Sequence, residues 1–236
     1  MNYMNNTDYV IKCNDGLCNR LRVIFSYLQV ANMQKKKLIV IWIKNASCDC
    51  HFLDFFEPIQ NVTFVNNTLK RIVNYSGNQI HPRFIPNYSL LKLNSKLRKT
   101  IYDKIELLER PYAAIHVRRT DHLNLLSRNK NVGFTSDSDF DKFIESNGDK
   151  SLYIATDNKN TYDRFCEKYS DKVRFPYHKN NPNNFRHTNM HDSVVDMFVC
   201  IYADNFMGTY YSSFSDLIDT LRKVQKKDNS RIMLLL

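Results

Sequence analysis

The 236-residue chain contains no run approaching the roughly 20 consecutive apolar residues of a membrane span. Its N-terminus, "MNYMNNTDYVIKC", has neither a basic lead nor an apolar signal core. With both absent, a soluble protein of the cytoplasm is expected. No internal repeat or low-complexity tract is visible, and glycine is scarce at 5 residues, so few turns are marked. The six cysteines (Cys13, Cys18, Cys48, Cys50, Cys166 and Cys200) include no Cys-x-x-Cys pair. A chain of this length does not need disulfides to fold, and "CDCH" at 48–51 lacks the second ligand pair of a zinc site, so no metal is expected. The G-x-G-x-x-G fingerprint of nicotinamide dinucleotide binding is missing too. Acidic residues are the minority: 24 Asp plus Glu stand against 34 Lys plus Arg, a formal charge of +10. That balance favours an anionic partner, whether nucleic acid, membrane surface or phosphorylated metabolite.

What is present is alternation of strand and helix. "YVIKC" (9–13) reads as a strand ending in a turn. Leu17, Leu21, Ile24, Leu28 and Ala31 then recur at helical spacing. "KLIVIWI" (37–43) is a continuous apolar run, as expected of a strand covered on both faces, and "NVTFV" (61–65) is a further strand. Residues 66–89 read as irregular with one short strand. A helix marked by Leu90, Leu93, Leu97, Ile101, Ile105 and Leu108 ends at Pro111, where the domain boundary is placed, giving domains 1–110 and 111–236. The second half reads more cleanly: "YAAIHV", "SLYIAT", "KVRF" and "NFMGT" as strands, with helices between them. One of these helices, 192–203, is apolar nearly all round and should be buried. The pattern predicts an α/β fold with mainly parallel sheets.

Three strand-to-helix junctions carry the same chemistry. In "CNDGLCNRLR" (13–22), Gly16 would let the backbone turn and approach a ligand at a helix N-terminus, with Asn19 and Arg20 as donors. In "HVRRTD" (116–121), two arginines stand where a core strand meets its loop. Strand side chains alternate between faces, so the two cannot share one exposed surface, and an anion is the expected reason for them. Asp121 is the alternative anion, as a structural counter-ion. In "MGTYYSSFSD" (207–216), hydroxyls surround a helix start and could cradle phosphate, although such clusters commonly just cap. "ATD" (155–157) ends a fourth strand with Asp157. "DSD" (137–139) has the spelling of a metal-binding pair but sits at a helix start and reads as a cap.

Taken in order, "GLCNRLR", "KLIVIW", "HVRRTD", "YIATD" and "GTYYSSFS" resemble the fucosyltransferase superfamily of α1,6-, nodulation and protein O-fucosyltransferases across residues about 13 to 216. The resemblance implies a GT-B-like fold of two Rossmann-like domains, the first reduced and on the acceptor side, the second binding the donor GDP-fucose. By position it implies that Arg118 binds the pyrophosphate and that Arg119 supports it or reaches the sugar. It sets His116 and Asp196 against guanine and Asp157 near the ribose or base. Ser212 and Ser213, followed by Phe214, would hold phosphate, while Gly16, Asn19 and Arg20 approach from the first domain. Arg118, Arg119, Asn19 and Asp121 are the catalytic candidates. The α1,6 enzymes carry a glutamate a few residues beyond the Arg-Arg-x-Asp, where this chain has Leu126, so the base stays open, with His122 a second candidate.

The expectation is an inverting glycosyltransferase that needs no metal or other cofactor, takes GDP-fucose as donor and acts on a glycan or protein acceptor. No stable nucleic-acid partner and no membrane span are expected, and the oligomeric state is open. The alternatives are a transferase for another nucleotide sugar and a non-catalytic nucleotide- or nucleic-acid-binding α/β protein.

Overall fold

The computed structural model describes residues 8–67, 72–119, 134–177 and 188–227, with backbone alone for 226 and 227. The chain forms two compact units, Met1–Asn94 and Ser95–Leu236.

In the first unit, strand β1 (Asp8–Cys13), helix α1 (Leu17–Met33) and strands β2 (Lys37–Trp42), β3 (Val62–Val65) and β4 (Tyr75–Gly77) follow one another, with a short 3-10 helix at Phe52–Asp54. The sheet order is β3-β2-β1-β4 and every pair is parallel. β2 is buried from Leu38 to Trp42, which is why it reads as one apolar run. α1 buries the stripe Leu17, Leu21, Ile24, Leu28 and Ala31. This order is that of the first four strands of the dinucleotide-binding fold, whose direction reverses between β1 and β4.

The second unit contains α2 (Ser95–Glu106), β5 (Tyr112–Val117), α3 (Asp137–Ser146), β6 (Ser151–Thr156), α4 (Lys159–Lys168), α5 (Met190–Tyr202), β7 (Asn205–Gly208) and α6 (Ser213–Lys227). Its sheet runs β6-β5-β7, again all parallel. β5 and β6 are buried at every position. On one face Ile115, Val117, Leu152 and Ile154 pack against Phe140, Ile144 and Phe165 of the helices. α5 is buried continuously from Val194 to Tyr202, as its all-round apolar surface requires.

Three features differ from expectation. α2 packs against α5 within the second unit, so the chain divides after Asn94, whereas the expected division at 110 leaves this helix in the first unit. The helix begins at Ser95, because Leu93 bridges to Phe56 before it. "KVRF" contributes a single parallel bridge, Val173 to Leu152, since its cations lie on a sheet edge where charge stops pairing. With glycine scarce, five other residues among those described take left-handed backbone angles: Asp15, Lys35, Asn61, Glu109 and Tyr211, at φ from 52° to 65°. No helix among the described residues is long and apolar enough to cross a membrane.

The C-terminus of α5 is closed by an arginine from another helix. Arg222 of α6 is 8% exposed. Its Nη1 donates to the carbonyls of Cys200 (3.0 Å), Ile201 (3.0 Å) and Ala203 (2.5 Å), and its Nη2 to that of Asp204 (3.1 Å). A cation here also meets the negative end of the helix dipole. Arg222→Leu strips the partner from all these oxygens and should lower the unfolding free energy by about 3 kcal/mol. Urea denaturation checks this, and a loss under about 1 kcal/mol would contradict the assigned role.

Candidate active site

β5 is the central strand of its sheet. The chain leaves it for β6 on one side and later returns to β7 on the other. The crevice between the carboxyl ends of β5 and β7 is therefore a topological switch point, where open α/β sheets bind ligands. Side chains hold the peptide groups there. The His116 carbonyl accepts from Thr209 N (3.0 Å) and Thr209 Oγ1 (2.9 Å), and the same oxygen atom Oγ1 accepts from Arg118 N (2.9 Å). On the other side Thr156 Oγ1 donates to the Val117 carbonyl (2.6 Å), and Asp157 Oδ1 accepts from Arg119 N (3.1 Å). Asp157, half-buried, thus shapes the loop on which the arginines stand.

The two arginines have different surroundings. Arg119 is 7% exposed. Its Nη2 donates to Asp137 Oδ1 at 2.6 Å and to the Thr135 carbonyl at 3.2 Å, and its guanidinium lies 5.1 Å from the ring of Phe134. Arg119 is thereby committed to the start of α3. The "DSD" stretch explains why. Ser136 and Asp139 form a capping box, with Asp139 N donating to Ser136 Oγ (3.1 Å) and Ser136 N to Asp139 Oδ2 (2.8 Å), which leaves Asp137 for the arginine. Arg118 is only half-buried. Asp121, the other anion considered from the sequence, lies outside the described residues, as do His122 and Leu126.

β7 and α6 supply the other wall. An added Cβ at Gly208 would stand 2.5 Å from Ser215 Cβ, so only glycine lets the helix start approach the strand this closely. Ser212 is fully buried, and its Oγ accepts from Ser215 N at 3.5 Å as the N-cap of α6. Ser215 Oγ in turn pairs with His116 Nδ1 at 2.7 Å, and the Phe214 ring packs on the imidazole at 4.6 Å. Of this hydroxyl group Ser213 stays half-exposed, beside first-turn N–H groups that have no intrahelical acceptor. The loop between displays Tyr210 and Tyr211, 57% and 64% exposed.

Asp196 is the other residue expected against guanine. It lies 5% exposed on α5, and its Oδ1 accepts from the Tyr153 hydroxyl at 2.7 Å. Burial, reinforced by that carboxylate, pushes the Tyr153 phenol well above its ordinary pKa. Asp196, Lys104, Tyr153, Tyr162, Phe175 and Tyr177 bound a cavity of about 80 Å³, and His116 is not among its walls.

The first-unit junction is likewise locked. Gly16, the N-terminal flank of α1, has φ −73° and ψ 167°, and a Cβ there would meet only ordinary contact. The left-handed backbone at this turn belongs to Asp15, at φ 65°. Arg20 is fully buried. Its Nε donates to the Asp15 carbonyl (2.8 Å) and Nη1 to that of Ile43 (2.9 Å), and its guanidinium lies 4.8 Å from the Trp42 ring. Asn19, half-buried, accepts from Arg22 Nη2 at 2.7 Å. Arg20 thus ties the ends of β1 and β2 together.

The family model for GDP-fucose protein O-fucosyltransferases matches residues 6–225. The chain belongs to that family. It is a glycosyltransferase of the fucosyltransferase type. The fold is similar to that of POFUT1 in its apo form, with a TM-score of 0.63 at 12% identity over 94% of this chain and 97% of that one. It is also similar to NodZ α-1,6-fucosyltransferase soaked with GDP-fucose, with a TM-score of 0.60 at 15% identity over 90% and 92%. NodZ from Bradyrhizobium gives 0.55 at 14% over 90% and 93%. These are GT-B fucosyltransferases, and the α/β fold with parallel sheets is shared with them. No curated protein matches the chain by sequence.

Two residues that shape this crevice carry little signal in the sequence. Thr209 gave no signal beyond following a strand-ending glycine, and Asp137 was accounted for locally as part of a cap. Arg119→Ala should lower stability by roughly 2 kcal/mol, and the same substitution in an Asp137→Ala background should cost measurably less. Chemical denaturation of the four proteins of this cycle checks it. Strict additivity would mean that the pair contributes nothing.

Proposed function

We propose that the protein transfers fucose from GDP-fucose to a hydroxyl acceptor by metal-independent, inverting displacement, with Arg118 binding the donor diphosphate. NodZ has been soaked with GDP-fucose and POFUT1 solved in complex with it, which supports that donor for a chain of the same fold. The observation that carries the reading is the end of β5. Arg118 stands half-buried at a switch-point crevice, its peptide pinned by Thr209, opposite the N-terminus of α6. As the acceptor oxygen bonds to C1 of the sugar, the bond from C1 to the phosphate oxygen breaks and negative charge grows on GDP. A planar guanidinium and the first-turn N–H groups of α6, beside Ser213, are placed to meet that charge without reorganising. The hydroxyl proton leaves to a base, for which Asp121 and His122 are the candidates. Arg119, Ser212 and Ser215 act behind these groups by fixing their positions. We also place the enzyme in a reducing compartment, the cytoplasm. All six cysteines are free thiols, and Cys48 and Cys50 stay unlinked with their sulfurs 3.5 Å apart.

Arg118→Ala should lower kcat on the order of 100-fold, about 3 kcal/mol of transition-state stabilisation, while leaving the circular dichroism spectrum and melting temperature unchanged. Arg118→Lys should recover little, because a point charge does not reproduce the guanidinium fork. Release of GDP from GDP-fucose is the measurement, and near-normal turnover in a folded Arg118→Ala protein would remove the basis of the proposal. A thermal-shift series with GDP, UDP and ADP should single out GDP.

Because arginine and helix N–H groups supply the positive charge, turnover should survive EDTA. Loss on chelation, restored by Mn²⁺, would show that leaving-group stabilisation depends on an ion.

A further inference from the structure

The first unit contains a groove that no step above uses. At the carboxyl ends of β2 and β3, Trp42, Phe64, Phe52, His51, Asn66 and Asn67 help to enclose about 410 Å³, within the roughly 300–1,000 Å³ of small-ligand sites. Its floor is aromatic. Phe52 stacks on Phe64 with centroids 4.2 Å apart and planes 10° from parallel, and Trp42 stands edge-on to both at 6.1 Å. Trp42 and Phe52 are 1% exposed, so half-buried Phe64 is the ring with surface to offer.

The rim is polar and uncharged. Asn66 and Asn67 are exposed, and their amides make no hydrogen bond among the described residues. His51 is exposed at the start of the short 3-10 helix, where its backbone N–H donates to Asp54 Oδ2 at 2.7 Å, and its imidazole adds a polar ring to the rim. Among the described residues, no Lys, Arg, Asp or Glu lines the groove, in a chain of formal charge +10. A phosphate or carboxylate would leave its charge unanswered here. A neutral ring with C–H faces and equatorial hydroxyls matches both the floor and the rim.

We propose that this groove is a subsite for a neutral sugar ring, and hence that the acceptor is a neutral glycan; this rests on the glycosyl-transfer reading above. The groove also connects to the first-unit junction. Trp42 lines it, and Arg20, which ties β1 to β2, packs on the same indole. A bound ring is one side chain away from the Asp15–Arg20 loop.

Trp42 is the sole tryptophan, so its emission reports occupancy without a label. The wild-type chain is titrated with lactose, maltotriose and chitotriose, with sialyllactose and with a tyrosine-containing tripeptide. At least one of the neutral oligosaccharides should give a saturable change. An Asn66→Ala/Asn67→Ala double variant should weaken that binding about tenfold or more, as expected for losing hydrogen bonds on the rim. Phe64→Leu, which keeps the apolar volume but removes the ring, should weaken it too. GDP-induced thermal stabilisation should be unchanged in both variants. No response to any neutral oligosaccharide, equal binding by the double variant, or a response confined to sialyllactose or the peptide would overturn the proposal. Those results leave the donor reading standing if GDP still stabilises the protein. Sugar binding in a protein that GDP and GDP-fucose do not stabilise would instead sink the transfer reading and keep the groove.

Discussion

One hydroxyl governs the geometry of the second unit's site. Thr209 Oγ1 donates to the carbonyl of His116 while accepting the N–H of Arg118, and its own N–H meets the same carbonyl. A parallel strand normally frays at its last residue, because the neighbouring strands have ended. Here β7 ends at Gly208, and the next side chain continues the ladder for one more peptide. Thr156 does the same from β6. The splayed end of β5 is therefore held by side chains on both sides, and the backbone of Arg118 is fixed there.

The same division recurs in both units. A fully or nearly buried arginine, Arg20 in the first and Arg119 in the second, spends its donors on carbonyls or a carboxylate and packs on an aromatic ring. Each stiffens a loop at the carboxyl end of a parallel sheet. Buried guanidinium groups are costly unless paired: Arg119 has the Asp137 carboxylate, Arg20 has two carbonyls, and Arg20 Nη2 and Arg119 Nη1 are buried without a hydrogen bond among the described residues. The scaffold is thus made from the same residue type as the chemistry, which explains why arginines crowd these junctions.

Much of this was legible in the sequence. β2, β5 and β6 are apolar without alternation because helices or loops cover both faces, and α5 is apolar all round because it is buried all round. Strand alternation correctly required Arg118 and Arg119 to differ. The partner of Arg119 was hidden, because Asp137 is 18 residues away and belongs to a recognisable cap. The division after Asn94 was hidden as well, since the apolar stripe of α2 says that the helix packs but not which unit it joins. Gly16 drew attention that belonged to Asp15: glycine permits a left-handed turn, but the residue beside it made one.

The left-handed residues have a consequence for how this chain could change. Lys35 ends α1, and Glu109 precedes β5. Both pay a steric penalty of roughly 1 kcal/mol that glycine would avoid, partly offset by the greater freedom glycine gives the unfolded chain. Neither residue belongs to the crevice or the groove. A chain so poor in glycine therefore keeps a reserve of stability within reach of single substitutions. That reserve could absorb destabilising changes near the crevice while its specificity drifts.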